Sequence, residues 1–240
     1  ELLELLGNTY FKGGFLQRSN EIFLRILKFS PRNKNALKSL LLVNEKLKNF
    51  KKSKEIAQAL EELNIDVSVE KVYFDTLIIL NDPILSYEKR TELLFEIFKE
   101  NKIIQRIFAT FLIQSNREFF FSNIDMFDCE KLIDILWYQK KEDIDFDKIK
   151  NNQFLNELYS AKNYINSVST SSDFDLNILI LINKYQKDIK TNLTFEFICN
   201  SCKHSSPFYE ARCPNCHSIL SLEVKHHLTK AYELSNQSLQ

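Results

Sequence analysis

Phe197-Ile198-Cys199-Asn200-Ser201-Cys202, followed by Arg212-Cys213-Pro214-Asn215-Cys216, holds four of the chain's five cysteines. Each Cys-x-x-Cys turn aims two sulfurs at one point. Two such turns facing each other make a tetrahedral four-sulfur cage, which suits zinc or a single iron. The link between the pairs, residues 203–212, has room for a short hairpin and little more. Phe208 and Tyr209 are placed to pack over the site, and Pro214 stiffens the second turn.

Other readings of the cysteines are weaker. Disulfides need an oxidising compartment, and the residues given carry no secretory signal. A thioredoxin-type motif uses one Cys-x-x-Cys inside a βαβ pattern, which this stretch lacks. With Cys199, Cys202, Cys213 and Cys216 as ligands, no position is left for a catalytic water, so the site is expected to be closed and structural. It should hold one zinc ion, iron being the other metal such a cage takes. His204, His217, His226 and His227 lie nearby in sequence and are read as surface or supporting residues rather than ligands.

Upstream of the cysteines the chain reads as helix. Three glycines and four prolines in 240 residues leave few obligate turns. Leu3, Leu6, Gly7, Tyr10 and Phe11 recur at helical spacing, Gly13-Gly14 breaks the run, and Ile22, Phe23, Ile26 and Leu27 form a second amphipathic helix that Ser30-Pro31 stops. A 34-residue offset maps Leu3 to Leu37, Leu6 to Leu40, Ser19 to Ser53, Phe23 to Ala57 and Ile26 to Leu60. That period is the tetratricopeptide repeat. The first copy follows its pattern closely. The second keeps the apolar helix pair, Lys34 to Leu47 and Lys51 to Leu63, but has Leu41 for the small Gly, Asn44 for Tyr and Ile65 for Pro. In such a hairpin the first helix lines a concave face. The resemblance to that repeat would place Glu4, Asn8, Phe11 and Lys12, with Lys38, Leu42, Glu45 and Lys46, on a candidate partner surface.

From Val67 to Lys190 the repeat fades while helical periodicity persists. Asp82-Pro83 reads as a helix start, Asp128 as a cap for a helix through Leu132, Ile133, Leu136 and Trp137, and Leu176 to Tyr185 as the last buried helix. Asp143 to Asp147 starts like a calcium loop, but Lys148 and Phe154 stand where Gly and Glu belong, so it reads as an acidic turn. Residues after Val224 read as a short helix and a tail. The domain plan is two hairpins over 1–64, divergent helical repeats over 65–190, the four-cysteine module over 191–225 and a tail over 226–240. The fold class is mainly α, a tetratricopeptide-like hairpin solenoid with a small rubredoxin-like or zinc-ribbon knuckle.

Composition narrows function. Lys plus Arg and Asp plus Glu both number 32, so no broad basic field draws the chain to nucleic acid or an anionic membrane. There is no Gly-rich phosphate loop, His-Glu-x-x-His pair or Gly-x-Ser-x-Gly elbow, and no apolar run long enough to span a bilayer. Nothing points to an enzyme.

Repeat hairpins followed by the form aromatic-x-Cys-x-x-Cys … Cys-Pro-x-Cys resemble the lipopolysaccharide assembly protein B family of bacteria. The match is most specific at Leu6 to Pro31 and Phe197 to Ser218. The resemblance implies a cytoplasmic adaptor at the inner membrane, held there by an N-terminal helix that the residues given do not include. It implies that the adaptor brings the deacetylase committing precursor to lipid A to a membrane ATP-dependent metalloprotease, and so sets lipopolysaccharide output. Lys203-His204 departs from the family pattern, where Gly follows the second cysteine; one of them must accept a backbone that Gly takes freely. The alternative is a nucleic-acid-binding zinc ribbon on a helical scaffold, motivated by Lys203, Arg212 and Lys225 and opposed by the neutral balance and by Glu210 and Glu223. An electron carrier ranks last, because no flavin or NAD fingerprint accompanies the cage.

Overall fold

A computed structural model describes residues 1–186 and 191–230. The chain divides into two compact units, Glu1–Ile104 and Gln105–Gln240. Among the described residues the fold is mainly helical, with eleven α-helices and one three-stranded antiparallel sheet. No described helix is long and apolar enough to cross a membrane.

The first unit holds α1 (Leu2–Lys12), α2 (Leu16–Phe29), α3 (Lys34–Lys46), α4 (Phe50–Glu61), α5 (Ser68–Leu80) and α6 (Tyr87–Glu100), each packed on the next. Local chemistry sets the ends. Gly14 turns the chain after α1 at φ +77°, which a residue without Cβ adopts without strain. The Asn33 carboxamide accepts from Ala36 N at 2.9 Å and caps α3. Lys48 and Asn64, both at φ 59°, follow α3 and α4 in the left-handed region that ends helices. Phe23, Ile26, Ala36, Leu40 and Val43 form the core between α2 and α3, with Leu3 and Phe11 of α1 packed against it.

One pair in that core explains a glycine. A Cβ on Gly7 would lie 2.8 Å from Cζ of the fully buried Phe23, and the Ser19 hydroxyl donates to Gly7 O at 2.8 Å. Thus α1 and α2 meet backbone to ring. Thirty-four residues on, the same positions hold Leu41 and Ala57, both buried. In this hairpin the larger side chain of the pair stands on the first helix, whereas in the preceding one it stands on the second. Asn44, in the place of Tyr10, is buried and donates to Asn20 Oδ1 at 3.1 Å and to Leu40 O at 3.0 Å.

The second unit opens with α7 (Gln105–Ser115), α8 (Arg117–Ser122), α9 (Ile133–Trp137), α10 (Gln153–Ala161) and α11 (Phe174–Tyr185). Phe108, Leu112, Phe120, Leu132, Leu136, Leu155, Leu158 and Tyr159 are fully buried. The sheet follows: β1 (Thr191–Cys199), β2 (Ser205–Ser206) and β3 (Leu222–Lys230), in the order β2-β1-β3. β1 and β3 pair along their whole length, from Thr191 opposite Lys230 to Cys199 opposite Leu222.

Two expectations are corrected. The helix expected after Val224 is the second half of β3, which runs past residue 225 to Lys230. Leu222, Val224, His226 and Leu228 alternate with the exposed Glu223, Lys225 and His227, a period of two that the reading for helix passed over. Of the tail expected over 226–240, residues 226–230 belong to β3 and the rest lie outside the described residues. Asp82-Pro83 does not start a helix: Asp82 Oδ1 accepts from Ile84 N within a loop, and α6 begins at Tyr87 with Ser86 as its cap. Asp128 accepts weakly from Lys131 N, at 3.4 Å, ahead of a 3-10 turn that leads into α9.

Gly7→Ala is expected to lower stability by about 1 kcal/mol, because displacing the Phe23 ring costs roughly 1–3 kcal/mol against roughly 1 kcal/mol gained in helix propensity. Combined with Phe23→Leu, it should cost less than the sum of the two single changes in urea denaturation. Strict additivity would contradict the ring contact.

Candidate metal centre

The four thiols are brought together by two matching turns. In the first, Lys203 N donates to Cys199 O at 2.8 Å and Cys199 N to His204 O at 2.9 Å. In the second, His217 N donates to Cys213 O at 3.0 Å and Cys213 N to Ser218 O at 2.9 Å. Lys203 and His217, each directly after a second cysteine, both stand at φ 61°. The strained position raised by the sequence is therefore Lys203 rather than His204, and it recurs in the other turn. Here the knuckle geometry overrides the usual penalty against a side chain in the left-handed region.

The sulfurs lie within 4.8 Å of one another. Cys199 Sγ is 3.6 Å from Cys216 Sγ, and Cys202 Sγ is 3.7 Å from Cys213 Sγ. Both separations are far beyond a disulfide bond, which measures about 2.05 Å. They match the edge of a tetrahedron with metal–sulfur bonds of about 2.3 Å, which is about 3.8 Å. Among the described residues these four are the group able to hold an ion. Cys199 and Cys213 are buried, Cys202 half-buried and Cys216 exposed, so one corner of the cage faces solvent.

The surroundings favour negative charge on two of the sulfurs, Cys199 and Cys216. Burial is the largest influence on Cys199 and pushes its thiol up. Hydrogen bonds from the Ser221 hydroxyl and the Cys202 and Ser201 amides together outweigh it and bring the pKa down to about 6. Burial wins at Cys213, which is pushed up to about 11. The Ser218 hydroxyl and amide hold Cys216 below the ordinary thiol range. The Asn215 amide lies 3.5 Å from Cys202 Sγ. An ion bound by all four must displace the proton of Cys213, so affinity falls as pH falls.

Behind the sulfurs, Phe197 and Leu222 are buried with Cys199 and Cys213, and Tyr209 packs on this cluster edge-to-face with Phe197, the centroids 5.7 Å apart. Phe208 does not cover the site; it is 75% exposed. Arg106, at the start of α7, lies 4.1 Å from the Tyr209 ring centre and 5.1 Å from that of Phe197. Its guanidinium grips both carboxylate oxygens of Asp134 on α9, and both side chains are nearly buried. The sheet is further tied to the helices of its unit by Trp137 Nε1 donating to Asn192 Oδ1 at 2.9 Å and by His226 Nε2, 3.0 Å from Asp173 Oδ2. His227 Nε2 lies 2.9 Å from Glu196 Oε1 across the sheet.

Arg106 and Asp134 escaped the reading from sequence, since they stand far from the cysteines along the chain. The hydroxyls of Ser218 and Ser221 were legible in principle, as polar residues three apart directly after the second pair. The candidate partner residues lie on α1 and α3 as expected. Lys12, Lys38 and Lys46 are exposed, and Leu42 is half-buried. Glu4 accepts from Asn33 Nδ2 at 2.8 Å, Asn8 from Ser39 Oγ at 3.4 Å and Glu45 from Tyr73 OH at 3.4 Å. Phe11 packs on the core.

Cys199→Ser should abolish stoichiometric zinc binding and open the β1–β3 module to proteolysis, since the ion contributes on the order of 10 kcal/mol to folding such modules. In the parent chain, competition with a chromogenic chelator should show weaker zinc binding at lower pH. Full occupancy in the mutant would refute the ligand set. Arg106→Ala should cost about 3–5 kcal/mol in denaturation by stranding the Asp134 carboxylate. Arg106→Ala with Asp134→Ala should recover part of that loss, and an equal or greater loss would contradict the pairing.

Set against known proteins, the chain matches no family model and no curated protein.

Proposed function

We propose that the chain is a non-enzymatic scaffold: a tetratricopeptide-like stack of helical hairpins joined to a module that one zinc ion clips shut. The observation that carries this is the four-thiol centre. Its geometry suits an ion with every ligand position filled by protein, so that the ion would build structure rather than perform chemistry. The 34-residue correspondence between the first two hairpins, with the exchange of bulk between Gly7/Phe23 and Leu41/Ala57, supports the repeat reading.

In its finer form the proposal follows the resemblance to lipopolysaccharide assembly protein B. The chain would act at the cytoplasmic face of the inner membrane and bring a lipid A pathway deacetylase to an ATP-dependent membrane protease. Support for this step comes from the order of the parts, repeats first and aromatic-x-Cys-x-x-Cys … Cys-Pro-x-Cys last.

Crosslinking capture from the native cell envelope, with Cys199→Ser as control, tests it. The expected result is recovery of the protease and the deacetylase by the parent chain and their loss from the mutant. Recovery of neither, with the helices folded by circular dichroism, would overturn the adaptor role. Recovery of RNA or ribosomal proteins would replace it with the zinc-ribbon reading.

A further inference from the structure

Within the first unit, a cavity of about 470 Å³ opens between the turn joining α3 to α4 and the loop joining α5 to α6. Its two sides differ in chemistry. Lys48, Lys51 and Lys52 line one side, all exposed, and among the described residues none of them makes an ion pair. Lys54, one turn further along α4, does pair, with Asp75 at 2.5 Å. Phe50 lies among these lysines in sequence, half-buried and also lining the cavity.

The loop side presents Ile84, which is 89% exposed. An aliphatic side chain held almost wholly in water, on a cavity that Phe50 also lines, leaves apolar surface for an incoming side chain to cover. The loop is already set. Asp82 Oδ1 accepts from Ile84 N at 2.9 Å, Arg90 Nη2 donates to Asp82 O at 2.5 Å, and Asn81 Nδ2 donates to Leu77 O at 2.8 Å. Asp82 is the one acidic residue of the lining, against three lysines, so the charge of the lining is net positive.

We propose that this cavity docks an acidic peptide segment carrying an apolar side chain. Carboxylates of the segment would meet Lys48, Lys51 and Lys52, while the apolar side chain enters the space bordered by Phe50 and Ile84. A partner protein's exposed loop or terminus is the fitting source. A bilayer is flat and does not fill a cavity, and nucleic acid is favoured by long basic tracks, whereas these lysines form a short cluster on one side of an open cavity in a chain of balanced charge. The inference rests on the scaffold reading and names one place where that scaffold grips its client.

Panning a displayed library of random dodecapeptides against the full chain tests it separately from the capture of named partners. Enrichment of sequences with Asp or Glu flanking one aromatic or aliphatic residue is expected. Binding of a synthetic peptide of that consensus should weaken with added salt and fall roughly tenfold or more in K48E/K51E/K52E, and should also weaken in Ile84→Asp. Both variants change exposed side chains and should keep the parent circular dichroism and melting temperature. Failure to enrich an acidic consensus, or equal binding by the triple variant, would overturn the proposal. So would lysine-dependent binding to phosphatidylglycerol vesicles or single-stranded RNA without peptide enrichment, which would assign the patch to those surfaces. If panning fails while envelope capture succeeds, the scaffold stands and its docking place is elsewhere.

Discussion

Four sulfur atoms within 4.8 Å of one another are the constraint on which the C-terminal sheet depends. Unligated thiolates so placed repel, and protonated thiols leave buried sulfur without strong partners. The surrounding hydrogen bonds favour charge on Cys199 and Cys216 while burial opposes it on Cys213. A metal ion bound by all four sulfurs would meet both demands at once. Two turns accept left-handed backbone at Lys203 and His217 to aim their sulfurs, strain that metal–thiolate bonds would offset. β1 and β3 have few buried apolar residues of their own, chiefly Leu193, Phe197 and Leu222, too small a core for a sheet of this size to stand unaided.

The centre is also coupled to the helices of its unit. Tyr209 and Phe197 sit between the cysteines and the Arg106 guanidinium, and Arg106 is fixed by Asp134. A guanidinium can stack on a ring with its face while it binds a carboxylate with its edge, which lysine cannot do. The metal site thus extends beyond the ligands into a layered contact, sulfur to aromatic to guanidinium to carboxylate.

The parts of this fold legible in the sequence were those governed by short-range pattern. Cys-x-x-Cys spacing identified the four converging residues, and 3.6-residue periodicity located α1 to α4 within a few residues. β3 was missed because its period-two alternation, short and interrupted by two adjacent histidines, reads as the start of a helix. The start of α6 was misplaced because Asp followed by Pro serves a loop as well as a helix start, and only tertiary packing chooses between them. Arg106 and Asp134 had no local signature at all: a buried ion pair is defined by what folds around it. Gly7 was legible as a small residue in a repeat pattern, but its reason, the Phe23 ring against the α1 backbone, needed coordinates. The exposed Ile84 and the three lysines, unpaired among the described residues, were likewise ordinary surface residues until the fold set them around one cavity.

X-ray absorption at the metal edge of the purified chain tests the central claim most directly. The account predicts one zinc per chain with four sulfur neighbours at about 2.3 Å and no nitrogen or oxygen ligand. A shell with fewer than four sulfurs, or one containing histidine nitrogen or water, would contradict the closed four-thiolate centre and with it the structural role assigned to the ion.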